Sequence, residues 1–99
     1  MDLTVTVALS VPCRVAVTGD VDASSARFLE NLLALASRSG SPDLVLDMAR
    51  VPFIDCAGLG ALLRARRRIA SRGGALHVQR MSDPVQRVIA LTKAHCLVS

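Results

Sequence analysis

Apolar spacing along this chain switches between the period of a β-strand and that of a helix, and this switching constrains the fold more than any other feature. Apolar residues first alternate with polar or small ones in two short segments, at Leu3, Val5, Val7 and Leu9 and then at Cys13, Val15 and Val17. A period of two is typical of strands with one buried face. We therefore predict that the first two elements are strands of a hairpin.

A helical pattern follows from about residue 23 to residue 39. The apolar residues of its stripe are Phe28, Leu32 and Ala36, with Leu29 and Leu33 beside them. This spacing is typical of an amphipathic helix with one face toward the core. Asp22 is predicted as the N-cap of this helix, and Gly40 followed by Pro42 is predicted to end it.

The second half of the chain alternates strands with helices. We predict a strand at 44–46, a helix over about 57–72, a strand around 76–78, a third helix opened by S-D-P at 82–84, and a short fifth strand at 96–98 as an option. Strands that alternate with helices imply right-handed crossovers and parallel pairing. The prediction is a single α/β domain over residues 1–99, with a mixed four- to five-stranded sheet and helices mainly on one face.

Composition excludes several classes of protein. Just over half of the 99 residues are apolar, but no apolar run is long enough to span a bilayer. The N-terminus lacks a signal peptide, so we predict a cytoplasmic protein without membrane contact. The cysteines Cys13, Cys56 and Cys96 are odd in number and form no C-x-x-C pair. We therefore expect neither a disulfide framework nor a metal site, and no cofactor.

The formal net charge of +4 is concentrated in one segment, which contains Arg64, Arg66, Arg67, Arg68 and Arg72. Many nucleic-acid-binding surfaces have aromatic residues between their basic ones. No aromatic residue lies between these arginines. Direct nucleic-acid binding is therefore not predicted. A solvated helix face, or a docking face for an acidic protein, fits the pattern better.

The hexapeptide D-C-A-G-L-G at residues 55–60 carries most of the functional information. Its two glycines, Gly58 and Gly60, fall in the first turns of a predicted helix, where each costs about 1 kcal/mol relative to alanine. Two explanations remain open at this point. The glycines can leave helix N–H groups free to receive a negative charge, or they can allow close packing of the helix, with Asp55 as an ordinary N-cap.

The second predicted helix has two apolar arcs. One contains Ala61, Leu62, Ala65 and Ile69, the other contains Leu59, Leu63 and Ala70, and Arg66 falls between them. One hypothesis is that the first arc packs on the sheet while Leu59, Leu63 and Arg66 remain available to a protein partner. The alternative is one wide buried stripe, with Arg66 extending along its edge to solvent.

The motifs together resemble those of the STAS domain family, and in particular of bacterial anti-sigma factor antagonists. D-C-A-G-L-G at 55–60 is similar to the D-S-S-G-L-G signature of that family, and G-D-V-D at 19–22 is similar to its G-E-L-D loop. R-G-G at 72–74 and the segment 84–92 fit its later parts. Family members usually continue into one more C-terminal helix, which we expect this chain to lack.

The resemblance implies a non-enzymatic regulator of transcription, of the kind that acts in bacterial stress responses. Such a domain binds an anti-sigma factor, a serine kinase with a histidine-kinase-like ATPase fold, and thereby releases a sigma factor. Phosphorylation of the first serine after the aspartate blocks binding. Cys56 occupies that regulatory position and is flanked by Asp22, Asp55, Ala57, Gly58 and Gly60. Because neither Cys56 nor Ala57 has a hydroxyl, phosphorylation is not expected there.

Alternatives remain for both the cysteine and the function. Cys56 is an inert replacement, a redox sensor at a helix N-terminus, or a buried packing residue, and the nearby carboxylates disfavour a reactive thiolate. The alternative function is a stand-alone STAS interaction domain of a lipid-transport or stress-sensing complex, and a weak homodimer is left open. A cysteine hydrolase is the least supported hypothesis, since His77 and His95 lie far from Cys56 in sequence.

Overall fold

The structure, a computed structural model, describes residues 3–8, 12–38 and 43–92. Its elements are β1 (Thr4–Ala8), β2 (Cys13–Thr18), α1 (Ala26–Ser37), β3 (Leu44–Arg50), α2 (Cys56–Ala70), β4 (Leu76–Met81) and α3 (Asp83–Thr92). This order matches the predicted one. The optional fifth strand at 96–98 lies outside the described residues.

The four strands form one mixed sheet in the order β1-β2-β3-β4. β1 and β2 pair antiparallel, as the two arms of a hairpin do, whereas β2–β3 and β3–β4 are parallel pairs. Both parallel connections step in the same direction along the sheet. Right-handed crossovers therefore place α1 and α2 on the same face. The predicted α/β architecture is confirmed.

Within the described residues, the helices cover one face of the sheet. Along β2, the side chains of Cys13, Val15 and Val17 are buried, while the residues between them are exposed. Leu44, Leu46 and Met48 of β3 join the same core. This core is built mainly from aliphatic side chains, together with Cys13 and Met48.

The prediction for α1 was wrong in two respects. The helix begins at Ala26 with Ser25 as its N-cap, not at residue 23 with Asp22 as its N-cap. Leu29, Leu33 and Ala36 are buried as predicted, whereas Phe28, which was predicted to belong to the same stripe, is 55% exposed. The later start of the helix does not change the face on which each residue lies. It is the position of the sheet that selects which of two adjacent apolar rows is buried.

The second helix begins at Cys56 and ends at Ala70, close to the predicted bounds. Gly73 follows with a φ of 82°, a left-handed conformation that few other residues adopt without strain. Among the described residues, no helix combines the length and the apolar character that crossing a membrane requires.

Candidate functional site

Two loops are joined at the edge of the sheet where β2 and β3 end. The Val21 N–H donates to the Phe53 carbonyl at 2.9 Å, and the Asp55 N–H donates to the Val21 carbonyl at 3.2 Å. Val21 and Ile54 form an isolated parallel bridge, and both side chains are buried. The loop after β2 and the loop before α2 therefore form one short extension of the sheet, and this loop edge holds the candidate site.

Asp55 is the N-cap of α2, as predicted. Its backbone is extended, and its side-chain Oδ1 accepts a hydrogen bond from the Gly58 N–H at 2.8 Å. One of the four unpartnered N–H groups at the helix start is satisfied in this way. The carboxylate of Asp55 is therefore committed to holding the first turn of α2.

The two glycines have different roles. Gly58 is buried, and a methyl group placed on it would overlap the carbonyl oxygen of Val21 and approach the Val21 Cγ1 to 2.7 Å. At Gly60 the nearest obstacle is the Nη1 atom of Arg64 at 3.1 Å, which is the end of a flexible side chain. Close packing therefore explains Gly58, whereas Gly60 is not required by packing against the described residues.

Cys56 is the first residue of α2, and its side chain is exposed. The segment 55–60 thus lies at a surface strand-to-helix junction, as expected, and the interpretation of Cys56 as a buried packing residue is wrong. Ala57 beside it is half-buried. Cys13, in contrast, is enclosed in the core, and burial raises the pKa of its thiol. An oxidant in solution therefore meets Cys56 far more readily than Cys13.

His77, the histidine of the described residues, does not lie near Cys56. His77 pairs with Val45 near the start of the strands and is exposed. Cys56 lies beyond the opposite ends of the same strands. No group of three or more histidine, cysteine or acidic side chains within residues 3–8, 12–38 and 43–92 is arranged to hold a metal ion.

Asp22 organises the turn that precedes α1 instead of capping the helix. Its Oδ1 accepts hydrogen bonds from the Ser24 N–H at 2.9 Å and the Ser24 hydroxyl at 2.6 Å. The hydrogen bond from the Ser24 hydroxyl is the main reason that the pKa of Asp22 lies below its ordinary value. The carboxylate is thus held in its charged form at the loop edge, three residues after Gly19.

Ser25 and Ser82 tie this edge to its surroundings. The buried Ser25 hydroxyl donates to the Asp20 carbonyl at 2.9 Å. Ser82, which precedes α3, donates from its hydroxyl to the Val51 carbonyl and from its N–H to the Met48 carbonyl. Three consecutive connections, after β2, β3 and β4, are therefore held together by hydrogen bonds.

The hypothesis of an exposed arc on α2 is wrong for Leu59. Leu59 is only 5% exposed and belongs to the core, and Leu63 is half-buried and packs against it. Arg66 is also half-buried. The structure thus favours one wide apolar stripe, with Arg66 along its edge, over two separate arcs.

Phe53 is a surface feature of the site that the sequence analysis did not single out. It lies three positions before Cys56, and its side chain is 48% exposed although its carbonyl is bonded to Val21. The chain has only two aromatic residues, and neither is buried. The sequence signal that could have identified Phe53 is an aromatic residue next to Pro52, in a predicted connection between a strand and a helix.

A family model described as "Mlab, STAS domain" matches residues 5–99 of this chain. The solved structures with a similar fold include an anti-sigma factor antagonist from Mycobacterium paratuberculosis. That structure superposes with a TM-score of 0.82 at 24% sequence identity, over 98% of this chain and 83% of the other.

The anti-sigma factor antagonist SpoIIAA is similar in two states. Its unphosphorylated form superposes with a TM-score of 0.80 at 14% identity, over 97% of this chain and 86% of the other. The phosphorylated form of the Bacillus protein gives 0.70 at 15% identity, over 97% and 89%. At these identities the structural likeness establishes the fold.

Proposed function

This chain belongs to the STAS domain family, and from that premise we propose that it is an anti-sigma factor antagonist that acts by binding alone. Its partner is an anti-sigma factor of the serine-kinase type with a histidine-kinase-like ATPase fold. Binding releases a sigma factor for transcription. The domain itself catalyses no reaction.

The observation that carries this proposal is the exposed first turn of α2, together with the hydrogen bonds and packing that hold it in place. Cys56 projects from a helix start that Asp55 caps and that Gly58 holds against Val21. Asp22, whose pKa is lowered, and the half-exposed Phe53 belong to the two joined loops of the same edge. A surface whose backbone is held by hydrogen bonds and that carries an aromatic side chain and carboxylates suits recognition by a protein, because little further ordering is needed on binding.

The absence of a hydroxyl at Cys56 and Ala57 has a consequence for regulation by phosphorylation. A phosphate at this position would bring close to two negative charges beside Asp22 and Asp55, and the repulsion would oppose docking of a partner that accepts the unmodified surface. Cys56 and Ala57 provide no oxygen to receive a phosphoryl group. The proposed antagonist is therefore permanently competent to bind.

The test is direct binding to ATPase-type anti-sigma factors purified from the source organism, measured by calorimetry and by displacement of the bound sigma factor. We expect one of them to bind with displacement, and mass mapping after incubation with ATP to find no phosphate on residues 55–60. Cys56→Asp, which imitates a charged modification at the same site, should weaken binding, while His77→Asp on the open face of the sheet should not. Failure of every such anti-sigma factor to bind would overturn the proposal.

A second candidate is an interaction domain of another assembly, such as a lipid-transport or stress-sensing complex. It is favoured by the lack of a phosphorylatable residue at 56 and 57, and by the designation of the matching family model, which is not that of an antagonist. In this case the same loop edge binds a different protein. Capture by the wild-type domain, but not by Cys56→Asp, of a transport ATPase in place of an anti-sigma factor would favour it.

A further inference from the structure

A solvent-exposed groove lies between α1 and α2. Its volume is about 320 Å³, and it is lined by Asn31, Ala34, Leu35 and Arg38 of α1 and by Arg68 of α2. We call it the α1–α2 groove. Ala34 is buried at its base, whereas Leu35 is 59% exposed. The groove therefore combines an apolar surface with guanidinium groups contributed by both helices.

The arginines at this surface outnumber the carboxylates. Arg64 binds one oxygen of Glu30 at 2.8 Å, and Arg68 lies 3.5 Å from the other oxygen of the same carboxylate. Glu30 is the acidic residue of α1, and the sequence of α2 contains none. Together with Arg38, the groove and its border thus carry three guanidinium groups for one carboxylate. The surface has a net positive charge.

The ion pairs with Glu30 leave these arginines available to further carboxylates. The side chains of Arg64 and Arg68 are 53% and 46% exposed. Ion pairs exposed to this extent contribute little to stability, because water and salt screen them. A guanidinium also has several N–H donors in a planar fork that matches a carboxylate. A carboxylate of another molecule can therefore bind either side chain without disrupting the fold.

Exposed apolar side chains follow the same side of α1. Phe28 precedes Leu35 by seven residues, about two helical turns, so the two lie on one side of the helix. Phe28 is 55% exposed, similar to Leu35. Aromatic residues and arginine are enriched in protein–protein interfaces, whereas lysine and acidic residues are depleted. The composition of this surface is therefore typical of one that binds a protein.

We propose that the α1–α2 groove is a docking site for an acidic amphipathic helix of a protein partner. The apolar stripe of that helix packs on Phe28 and Leu35, and its carboxylates bind Arg38, Arg64 and Arg68. Insertion of an amphipathic helix into a groove is a recurring mode of recognition, and complementary charge adds specificity. A nucleic acid, which offers phosphates without an apolar stripe, would leave the two apolar side chains in water.

The α1–α2 groove is separate from the loop edge that holds Cys56. Cys56 begins α2, whereas Arg64 and Arg68 lie about two and three turns further along the helix. The groove is thus a second surface for a second partner, and this proposal does not rest on the proposed function.

Fluorescence anisotropy of a labelled amphipathic peptide with the full-length chain tests the proposal. The peptide has one leucine stripe flanked by glutamates, and its matched counterpart has glutamine in place of every glutamate. We expect the acidic peptide to bind about tenfold more tightly than the glutamine peptide at low ionic strength. Added salt should reduce this difference, because it screens exposed charges.

Variants with opposite expected effects locate the binding. Arg38→Glu should raise the Kd for the acidic peptide about tenfold or more, because it replaces an attraction with a repulsion. Leu35→Gln should also raise it, because the leucine stripe of the peptide loses its contact. Glu30→Gln should lower the Kd, since Arg64 and Arg68 then lose the carboxylate that competes with those of the peptide.

Arg14→Glu is the matched control for Arg38→Glu. It reverses the same charge at an exposed position between the buried Cys13 and Val15, on the face of the sheet away from the helices. Because that face is distant from the groove, the Kd should change less than about twofold.

Three results would overturn the proposal. The first is failure of the acidic peptide to bind. The second is binding that Arg38→Glu and Leu35→Gln, each folded by circular dichroism, leave unchanged. The third is tighter binding of duplex DNA or of phosphatidylglycerol vesicles than of the peptide, lost in Arg38→Glu, which would assign the surface to a nucleic acid or to a membrane.

Discussion

At the scale of single residues, Gly58 shows how a local cost in α2 is offset by a contact that is distant in sequence. A glycine disfavours the helix, but only a residue without a Cβ lets the first turn of α2 lie against the Val21 carbonyl. That carbonyl is also the acceptor for the Asp55 N–H. The glycine thus allows the helix start and the loop after β2 to be held as one unit.

Gly58→Ala and Gly60→Ala should therefore have opposite effects. We expect Gly58→Ala to lower the free energy of unfolding by about 1–3 kcal/mol, because the added methyl group forces the backbone of α2 away from Val21. Gly60→Ala should be neutral or raise it by up to about 1 kcal/mol, since only the Arg64 side chain must move. Urea unfolding measures both. Equal losses in the two variants would contradict the assigned roles.

Asp22 gives the turn before α1 a dependence on pH. Because its folded-state pKa is lowered, chiefly by the Ser24 hydroxyl, the carboxylate stabilises the fold above the ordinary pKa of aspartate. This contribution is lost as the pH falls through the folded-state value. Wild type should melt above Asp22→Asn near neutral pH, and the difference should shrink in acid. A gap in melting temperature that stays constant from neutral to acidic pH would be inconsistent with this account.

Cys56→Ser tests whether only a hydroxyl is missing from the regulatory site. The change is nearly isosteric at an exposed position, so the melting temperature should hardly move. With the proposed partner kinase and ATP, the serine oxygen should accept the γ-phosphoryl group and release ADP, and binding should then fall. Mass mapping locates the phosphate.

Treatment with peroxide distinguishes the redox hypothesis for Cys56 from the hypothesis that only a hydroxyl is missing. If Cys56 is a sensor, peroxide converts its thiol to a sulfenic acid, with release of water, and weakens partner binding in wild type but not in Cys56→Ser. Identical binding of both proteins with and without peroxide, and with and without ATP, would show that Cys56 is no switch.

At the scale of elements, we expect α2 to contribute mainly to stability and the connection before it mainly to partner recognition. Leu59 lies in the core although it is only three residues from the exposed Cys56. Phe53, in contrast, keeps about half of its surface in solvent while its backbone is bonded to Val21. We therefore assign partner contact to the connection rather than to the Leu59 side of the helix.

Leu59→Ala and Phe53→Ala should separate these two roles. Leu59→Ala should cost about 2–5 kcal/mol of folding free energy, because it empties a buried site. Phe53→Ala should cost about 1 kcal/mol or less, yet lower the affinity for the partner about tenfold or more, as expected for an aromatic anchor. Chemical unfolding and titration calorimetry measure the two effects. The reverse ranking of stabilities would show that Phe53, not Leu59, supports the core.

At the scale of the whole molecule, the position of each strand in the sheet predicts how well its amides are protected from hydrogen exchange. β2 and β3 are hydrogen-bonded on both sides and carry the most buried side chains, whereas β1 and β4 end the sheet in the part of the chain that the structure describes. Hydrogen exchange in dilute solution should therefore be slowest in β2 and β3 and faster in β1. Exchange of the β1 amides as slow as that of the β3 amides would contradict this ranking.

The order of the elements was predictable because it depends on local chemistry. The alternation at Val5 and Val7 and the four-residue spacing from Leu29 to Leu33 record which side of each segment is buried. Asp55 was predictable as an N-cap because its acceptor bonds an N–H only three residues away. Such features need no knowledge of the rest of the fold.

What required the tertiary structure was the choice among surfaces that are equivalent within a single element. Phe28 and Leu29 fall in adjacent apolar rows of one helix, and only the position of the sheet decides that Leu29 is buried and Phe28 is not. Leu59 was assigned to an exposed arc for the same reason. Asp22 was assigned to a cap because its serine partners form a turn that pattern alone does not distinguish from a helix start. Likewise, Gly58 and Gly60 look alike in sequence, and only the approach of Val21 distinguishes them, because burial and contact depend on which segments meet in space.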